Sequence, residues 1–282
     1  MRCLILDCGK SRGCFVKRYR KNIVLIILAA ILVTIFLAPL AAQYDPKAMV
    51  PRQRLQAPSE AHWLGTDEFG RDVFSRVAHG GRTSLLIGLA VVTITVVVGT
   101  VVGALCGWNI HLDRIVMRIF DGWMAFPEII LAIALAAVWG AGQYVIIFAM
   151  AFAYTPRMAR VARGAVLTVK SRDYIEAVRA IGARESYALV RHVLPNSLAP
   201  VVVQATYNFA SAILAEAALS FLGVGIQPPA PSWGGMISDA RNYIPVAPWL
   251  VVFPSLAMFA AVLALNLLGD QLQDRLDPYQ EG

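Results

Sequence analysis

The chain has 282 residues, 58% of them hydrophobic and 15% charged, with a mean hydropathy of +0.61. Soluble domains carry about 25% charged residues, so this composition argues against a soluble enzyme and leaves room for about six membrane spans of ~20 residues with their loops. The net charge of +7 admits a nucleic-acid partner, a membrane surface or a topological bias, and the placement of the charges decides between them.

The tail before Ile23 holds seven basic residues, Arg2, Lys10, Arg12, Lys17, Arg18, Arg20 and Lys21. An apolar run, 23–42, follows. Its basic flank and small Ala41 and Ala42 mimic a secretory leader, but it is longer than the usual ~7–15-residue apolar core of one, and further runs follow. It reads as an uncleaved first span. Cys3, Cys8 and Cys14, with Cys106 farther on, form no CxxC pair and read as free thiols, the first three in a reducing cytoplasmic tail. Segment 43–84, with Pro46, Pro51 and Pro58, is an outer loop. Within 67–82, Phe69, Val73, Phe74 and Val77 fall at helical spacing and predict an amphipathic helix along the outer surface.

Five more apolar runs follow, 85–108, 120–139, 144–156, 198–223 and 247–269. Each reads as a transmembrane helix, because lipid offers backbone groups no partner outside the helix. Six spans result, and none of the 25 Lys and Arg residues lies inside a run. With the tail in the cytoplasm, 18 of these 25 fall on the inner side and seven on the outer, which predicts both termini inside. The basic surplus is therefore topological and implies no nucleic-acid partner. Gly99 and Gly103 in the second run form a G-x-x-x-G spacing that permits close helix approach. Trp108, Trp139, Trp233 and Trp249 lie near run ends, as interfacial aromatics do.

Three acids fall within the predicted spans. Intramembrane acids are expensive and call for a partner or a function. Asp121 is at a span end. Glu128 follows Pro127, which breaks or kinks the third span, and suits a gate or a contact with a partner subunit. Glu216 lies ~27 Å along the fifth helix from Leu198, near the outer end, where it faces either substrate or the bundle. Trp233 closes a proline-rich outer segment, 226–233, which reads as an outer gate, a docking surface or a passive loop. These four residues are the candidates for the substrate path. No phosphate loop, H-E-x-x-H or G-x-S-x-G motif is present, so the chain itself is expected to bind no nucleotide or metal and to catalyse nothing.

The inner stretch 171–200 reads SRDYIEAVRAIGARESYALVRHVLPNSLAP. Asp173 and Glu176 fit an acidic capping box at a helix start. Ile175, Val178 and Ile181 recur at helical spacing. Gly182 suits the residue past a helix end, and a second helix over 185–193 is limited by Pro195. A helix, a glycine turn and another helix form either an interfacial hairpin or a docking element for a soluble partner.

Glu176-Ala177-Val178, Gly182 and Val193-Leu194-Pro195 resemble the EAA loop of ABC-importer permeases, with Val178 in place of the third-position Ala. The run from Ala215 to Gly223 (AEAALSFLG), continuing into Gln227 to Gly234 (QPPAPSWG), and the stretch from Leu64 to Asp72 (LGTDEFGRD) are similar to the dipeptide/oligopeptide/nickel permease family, on its C-type subunit side. The resemblance covers nearly the whole chain after the basic tail. It implies an all-α membrane protein with the type I ABC-importer permease fold, six transmembrane helices and cytoplasmic termini. Residues 1–80 would hold the tail, first helix and outer segment, and 81–282 a five-helix core with a coupling loop at about 171–197. The implied ATPase-coupling residues are Asp173, Tyr174, Glu176, Ala177, Arg179, Ala180, Gly182 and Ala183, with Ala177 and Ala180 permitting close approach. The implied partners are a second, B-type permease subunit, two ATP-binding subunits that carry ATP and Mg, an extracytoplasmic substrate-binding protein and the bilayer of the bacterial inner membrane. Short peptides are the favoured substrates, ahead of nickel chelates and glutathione-like tripeptides. An ion-coupled secondary transporter or channel subunit is the alternative, although no clear inverted repeat of the kind such carriers show is present.

Overall fold

The computed structural model describes residues 41–140 and 142–276. The first predicted span, apart from Ala41 and Ala42, lies outside the described residues. So do the basic tail, its three cysteines and residues 277–282. Among the described residues there is no β-strand, only an isolated bridge between Thr66 and Asp72.

The long helices are α1 (Val73–Trp108), α2 (Ile110–Trp123), α3 (Glu128–Trp139), α4 (Gln143–Lys170), α8 (Leu198–Phe221) and α10 (Trp249–Leu276). Short ones lie between them: α5 (Asp173–Ala180), α6 (Glu185–Tyr187), α7 (Leu194–Asn196) and α9 (Trp233–Ala240). Four described helices (α1, α4, α8 and α10) are long and apolar enough to cross a membrane, and α2 with α3, bent by 85°, make a fifth where the pair counts as one broken span. At 36 residues α1 is about 54 Å long. That exceeds the ~30 Å hydrocarbon thickness, so α1 projects beyond the membrane.

Three expectations need correction. The amphipathic helix foreseen on the outer surface is the first turns of α1. Asp72 caps that helix by accepting from the Ser75 amide at 2.8 Å, so residues 67–72 stay in a turn and Phe69 lies outside it, 48% exposed. The third run is not one span beginning at Phe120. Asn109 accepts from the amides of His111 and Leu112 and starts α2 at Ile110; the chain then breaks before Pro127, which has no N–H to extend a helix. The fourth run does not stop at Pro156 either. Helix α4 continues to Lys170 with Pro156 inside it, so Arg157, Arg160 and Arg163 ride on a helix instead of a loop.

Helices α1 and α4 pack together along most of their length, and α8 packs against α1, α4 and α10. Contact between α1 and α4 depends on absent side chains. A Cβ at Gly99 would sit 2.7 Å from the Met158 side chain, one at Gly103 would sit 2.3 Å from the Ala159 carbonyl oxygen, and one at Gly107 would sit 2.8 Å from Val166. The predicted G-x-x-x-G is thus two-thirds of a three-glycine seam. The core runs from Ile87, Val91, Ile146 and Met150 in the middle to Leu85, Ile213 and Leu265 toward the outer end.

Candidate functional site

The polar chemistry of the chain gathers in three places. The first is the element after α4. Arg172 is the N-cap of α5, in extended conformation and with no side-chain cap bond. Asp173 is therefore the first helical residue rather than half of a capping box, and it acts with Glu176 as negative charge in the first turn, where the helix dipole favours it. At the other end Gly182 adopts φ +84°. Its amide donates to the Arg179 carbonyl at 2.9 Å and the Ala183 amide donates to the Val178 carbonyl at 3.3 Å, the paired closure of a Schellman motif that positive φ permits.

Ile175 anchors α5. It is fully buried against Ala104, Val166, Val169 and Val193, with Trp108 beside them. Val178 is half-buried, while Ile181 is 84% exposed, contrary to a shared buried stripe of the three. The helix ends at Ala180, and the turn at Gly182 swings Ile181 outward. Asp173, Tyr174, Glu176, Ala177, Ala180 and Gly182 face solvent with it, and Ala183 is half-buried. Arg179 folds back: its Nε lies 3.1 Å from Glu185 Oε1, and its guanidinium sits 5.1 Å from the centre of the Trp108 ring. Lys170 stacks on the same ring and donates to the Trp108 carbonyl at 2.7 Å. The second helical run continues past Pro195 to Asn196, because the ladder ahead of that proline widens to π spacing over Ala188–Val193.

The second place is a ladder of ion pairs between α4 and the bent pair. Arg160 Nη2 donates to Asp121 Oδ1 at 2.6 Å, Arg163 donates to both oxygens of Asp113, and Arg157 Nη1 lies 4.0 Å from Glu128 Oε1. The three arginines recur every third residue and so share one side of α4, about 4.5 Å apart along the axis. Intramembrane charges need such partners. Asp121 and Glu128 are brought together here. Asp113 was not singled out from sequence, and the every-third-residue spacing of the arginines was the available signal for it.

The third place is the end of the bundle opposite that element. Glu216 on α8 is 1% exposed. It accepts from Ser84 Oγ of α1 at 3.0 Å and from Ser220 Oγ at 2.8 Å, and Ser232 also hydrogen-bonds to it. Two of these hydroxyls relay amides at the start of α9. The Trp233 amide donates to Ser84 Oγ at 3.3 Å and the Gly235 amide to Ser232 Oγ at 3.0 Å. Trp233 is not an interfacial aromatic: it is buried against Leu85, Ile213 and Leu265, and its Nε1 donates to the Val77 carbonyl at 3.0 Å. Glu216 and Trp233 therefore meet through Ser84, apart from Asp121 and Glu128. Ser220 and Ser232 lie in the AEAALSFLG and QPPAPSWG stretches, but no sequence pattern pointed to Ser84.

Above this knot the outer segment forms a charged cap. Arg71 Nε lies 2.5 Å from Asp67 Oδ2 and its Nη2 lies 3.1 Å from Glu68; Arg76 Nε is 3.4 Å from Asp67, and His62 Nδ1 is 2.9 Å from Asp72. Trp249 Nε1 reaches the Thr66 carbonyl at 3.5 Å and ties the cap to α10. Burial pushes the Glu68 and Asp239 carboxyls above the ordinary acid range, against the pull of nearby arginines. Among the described residues no group of three or more His, Cys, Asp or Glu is placed to hold a metal ion.

A bundle of apolar helices with a glycine seam, paired charges along one broken span and a rigid element exposed at one end is that of a polytopic membrane transport subunit. The model of the binding-protein-dependent transport system inner membrane component family matches residues 96–281, and the chain belongs to that family. It is 44% identical over 255 residues to the dipeptide transport system permease protein DppC of Alkalihalophilus pseudofirmus, covering 90% of this chain and 84% of that one. It is 43% identical over 278 residues to the glutathione transport system permease protein GsiD of an Escherichia coli strain, covering 95% and 90%. Among solved structures, a chain of the MetNI methionine ABC transporter in an inward-facing conformation superposes with a TM-score of 0.60 at 21% identity, over 72% of this chain and 96% of that one. The fold is that of ABC-importer permeases, and this chain is the permease component of an ABC importer. The ion-coupled alternative gives way to this assignment.

Proposed function

We propose that the chain moves short peptides or glutathione-like tripeptides inward across the bacterial inner membrane, as half of a pathway completed by a B-type permease subunit. Its relatives' names support the substrate class, and the inner-membrane family supports the location. In this reading six helices cross the membrane with both termini cytoplasmic, residues 1–80 lead into a core from about residue 81, an extracytoplasmic binding protein delivers substrate, and two ATP-binding subunits hold ATP and Mg. The chain itself contributes no catalytic group or cofactor.

The observation that carries the proposal is the element at 171–197: a short helix fixed from beneath by Ile175, closed by the Gly182 turn, and offering Asp173, Tyr174, Glu176, Ala177, Ala180 and Ile181 to solvent. This is the contact expected to take up ATPase movement, with Arg179 and Ala183 bracing its end. Asp121 and Glu128 lie beside the inner part of the pathway, and Glu216 with Trp233 hold its outer end. Replacing Glu176 by Lys reverses a first-turn charge without touching the core, and Gly182→Pro removes the turn's amide and its positive φ. Both variants should assemble in the membrane but lose binding-protein-stimulated ATP hydrolysis coupled to peptide uptake. Unchanged uptake by both, or failure of the wild-type chain to co-purify with any ATPase, refutes the coupling assignment.

A further inference from the structure

Beside the Glu216 knot, on the outer side, lies a cavity of about 190 Å³. Its polar lining comprises Arg76, Ser220, Gln227, Ser232, Ser238 and Asp239. It joins three elements: the first turn of α1, the end of α8 with the proline-rich segment, and α9. One water needs about 10–15 Å³ of such space, so the cavity is far larger than a single-water site and suits a dipeptide-sized solute or one end of a longer one.

Its charges are arranged for a ligand bearing both signs. Arg76 is 4% exposed and is held in place by Asp67 through Nε and by the Pro46 carbonyl, which accepts from Nη1 at 3.3 Å. A guanidinium has five N–H donors, so these bonds fix it without exhausting it. Asp239, on α9, is exposed and lines the same cavity; the pull of Arg76 reaches its carboxyl, but no direct ion pair joins the two. Of the residues that line the cavity, Arg76 and Asp239 are the charged ones, one of each sign. Two of the wall hydroxyls, Ser220 and Ser232, also hydrogen-bond to Glu216. A ligand bonding to either would touch the knot that holds α9 to α1 and α8.

We propose that this cavity is an outer binding site for a short zwitterionic peptide, its ammonium paired with Asp239 and its carboxylate with Arg76. The inference rests on the peptide-permease reading and assigns this chain a part in recognising what the binding protein releases. Asp239 takes the ammonium end, Gln227 and the serines replace water on the peptide bond, and Arg76 receives the carboxylate. A solute lacking a free amine offers Asp239 no ammonium to bind.

The test uses the full complex of permease and ATP-binding subunits, purified without the binding protein, and equilibrium dialysis of radiolabelled L-alanyl-L-alanine against its N-acetyl derivative. The wild-type complex should retain the free dipeptide saturably and the acetylated one at least ~10-fold more weakly. Asp239→Asn, an exposed change that leaves the core alone, should weaken retention of the free dipeptide about tenfold and abolish the discrimination. Equal retention of both probes by the wild type, or unchanged retention by the variant, overturns the site. Absent retention alongside intact binding-protein-dependent dipeptide uptake also overturns it and leaves the peptide reading standing. If the complex, supplied with its binding protein, hydrolyses ATP but takes up no peptide, the peptide reading falls and the site with it.

Discussion

Replacing Glu216 tests whether its serine cage holds the outer end of the bundle together. The carboxylate takes hydrogen bonds from Ser84, Ser220 and Ser232 on three different segments, and Ser84 and Ser232 in turn accept from the Trp233 and Gly235 amides. Every donor points toward the acid, so an acceptor is required there. Glutamine keeps one acceptor oxygen but turns an N–H₂ toward one hydroxyl; one mismatched buried bond costs about 1–2 kcal/mol. Leucine leaves three buried hydroxyls without their acceptor, and at about 1 kcal/mol each the loss is about 3 kcal/mol. At 1.4 kcal/mol per tenfold, that raises local opening about 100-fold. Amide hydrogen exchange at Trp233 and Gly235 should therefore accelerate about 100-fold in Glu216→Leu and about tenfold in Glu216→Gln, with melting of the solubilised complex lowered in the same order. Equal effects of the two variants would refute the acceptor argument and point to the charge itself.

Asp121→Ala leaves Arg160 unpaired along a membrane helix, where an unpaired charge costs up to about 3 kcal/mol; exchanging the two residues as Asp121→Arg with Arg160→Asp should recover most of the lost membrane yield, read by quantitative blotting of membranes. Ile175→Ala removes the buried anchor of α5 and should cost about 2–5 kcal/mol locally, seen as rapid proteolysis within 171–184 while the outer half remains protected. Burial raises the Glu68 carboxyl in the folded chain, so the folded state binds that proton more tightly than the unfolded one. Its contribution to stability is then present at low pH and is lost as pH rises through the folded value. Hydrogen exchange in the outer segment should accelerate from pH 4 toward pH 7 after correction for intrinsic rates, and Glu68→Gln should flatten that dependence.

Apolar run length marked the described helices that lie within the runs, though not their bounds, and Gly182 announced its turn, because both signals are local. What was not legible depended on neighbours distant in sequence. The end of α4 was misplaced because Pro156 and the arginines after it look like a span's limit, whereas Asp113, Asp121 and Glu128, 29–50 residues earlier, make those charges tolerable on a helix. Trp233 looked interfacial from its place after a proline-rich segment, and only the fold shows Leu85 and Leu265 closing over it. Glu216 was visible as an anomaly, but nothing in the sequence joined Ser84, 132 residues before it, to Glu216. Ile181 kept the helical spacing of Ile175 and Val178 yet faces solvent, because the spacing says nothing about where the helix stops.

Helix α1 connects the two ends of the molecule. Asp72 caps it within the charged cluster of segment 43–84, Ser84 joins it to Glu216, its three glycines lock it to α4, and Ala104 and Trp108 meet Ile175 and Arg179 of α5. A packed helix passes on displacement only if its neighbours cannot yield, and the glycine seam supplies that rigidity: the Ala159 carbonyl already occupies the space a Cβ at Gly103 would need. Movement imposed on α5 therefore reaches α1 and α4 as one body. The hydroxyl-linked joint at Glu216, which has no cation holding it, is the part of the outer end best suited to part and re-form.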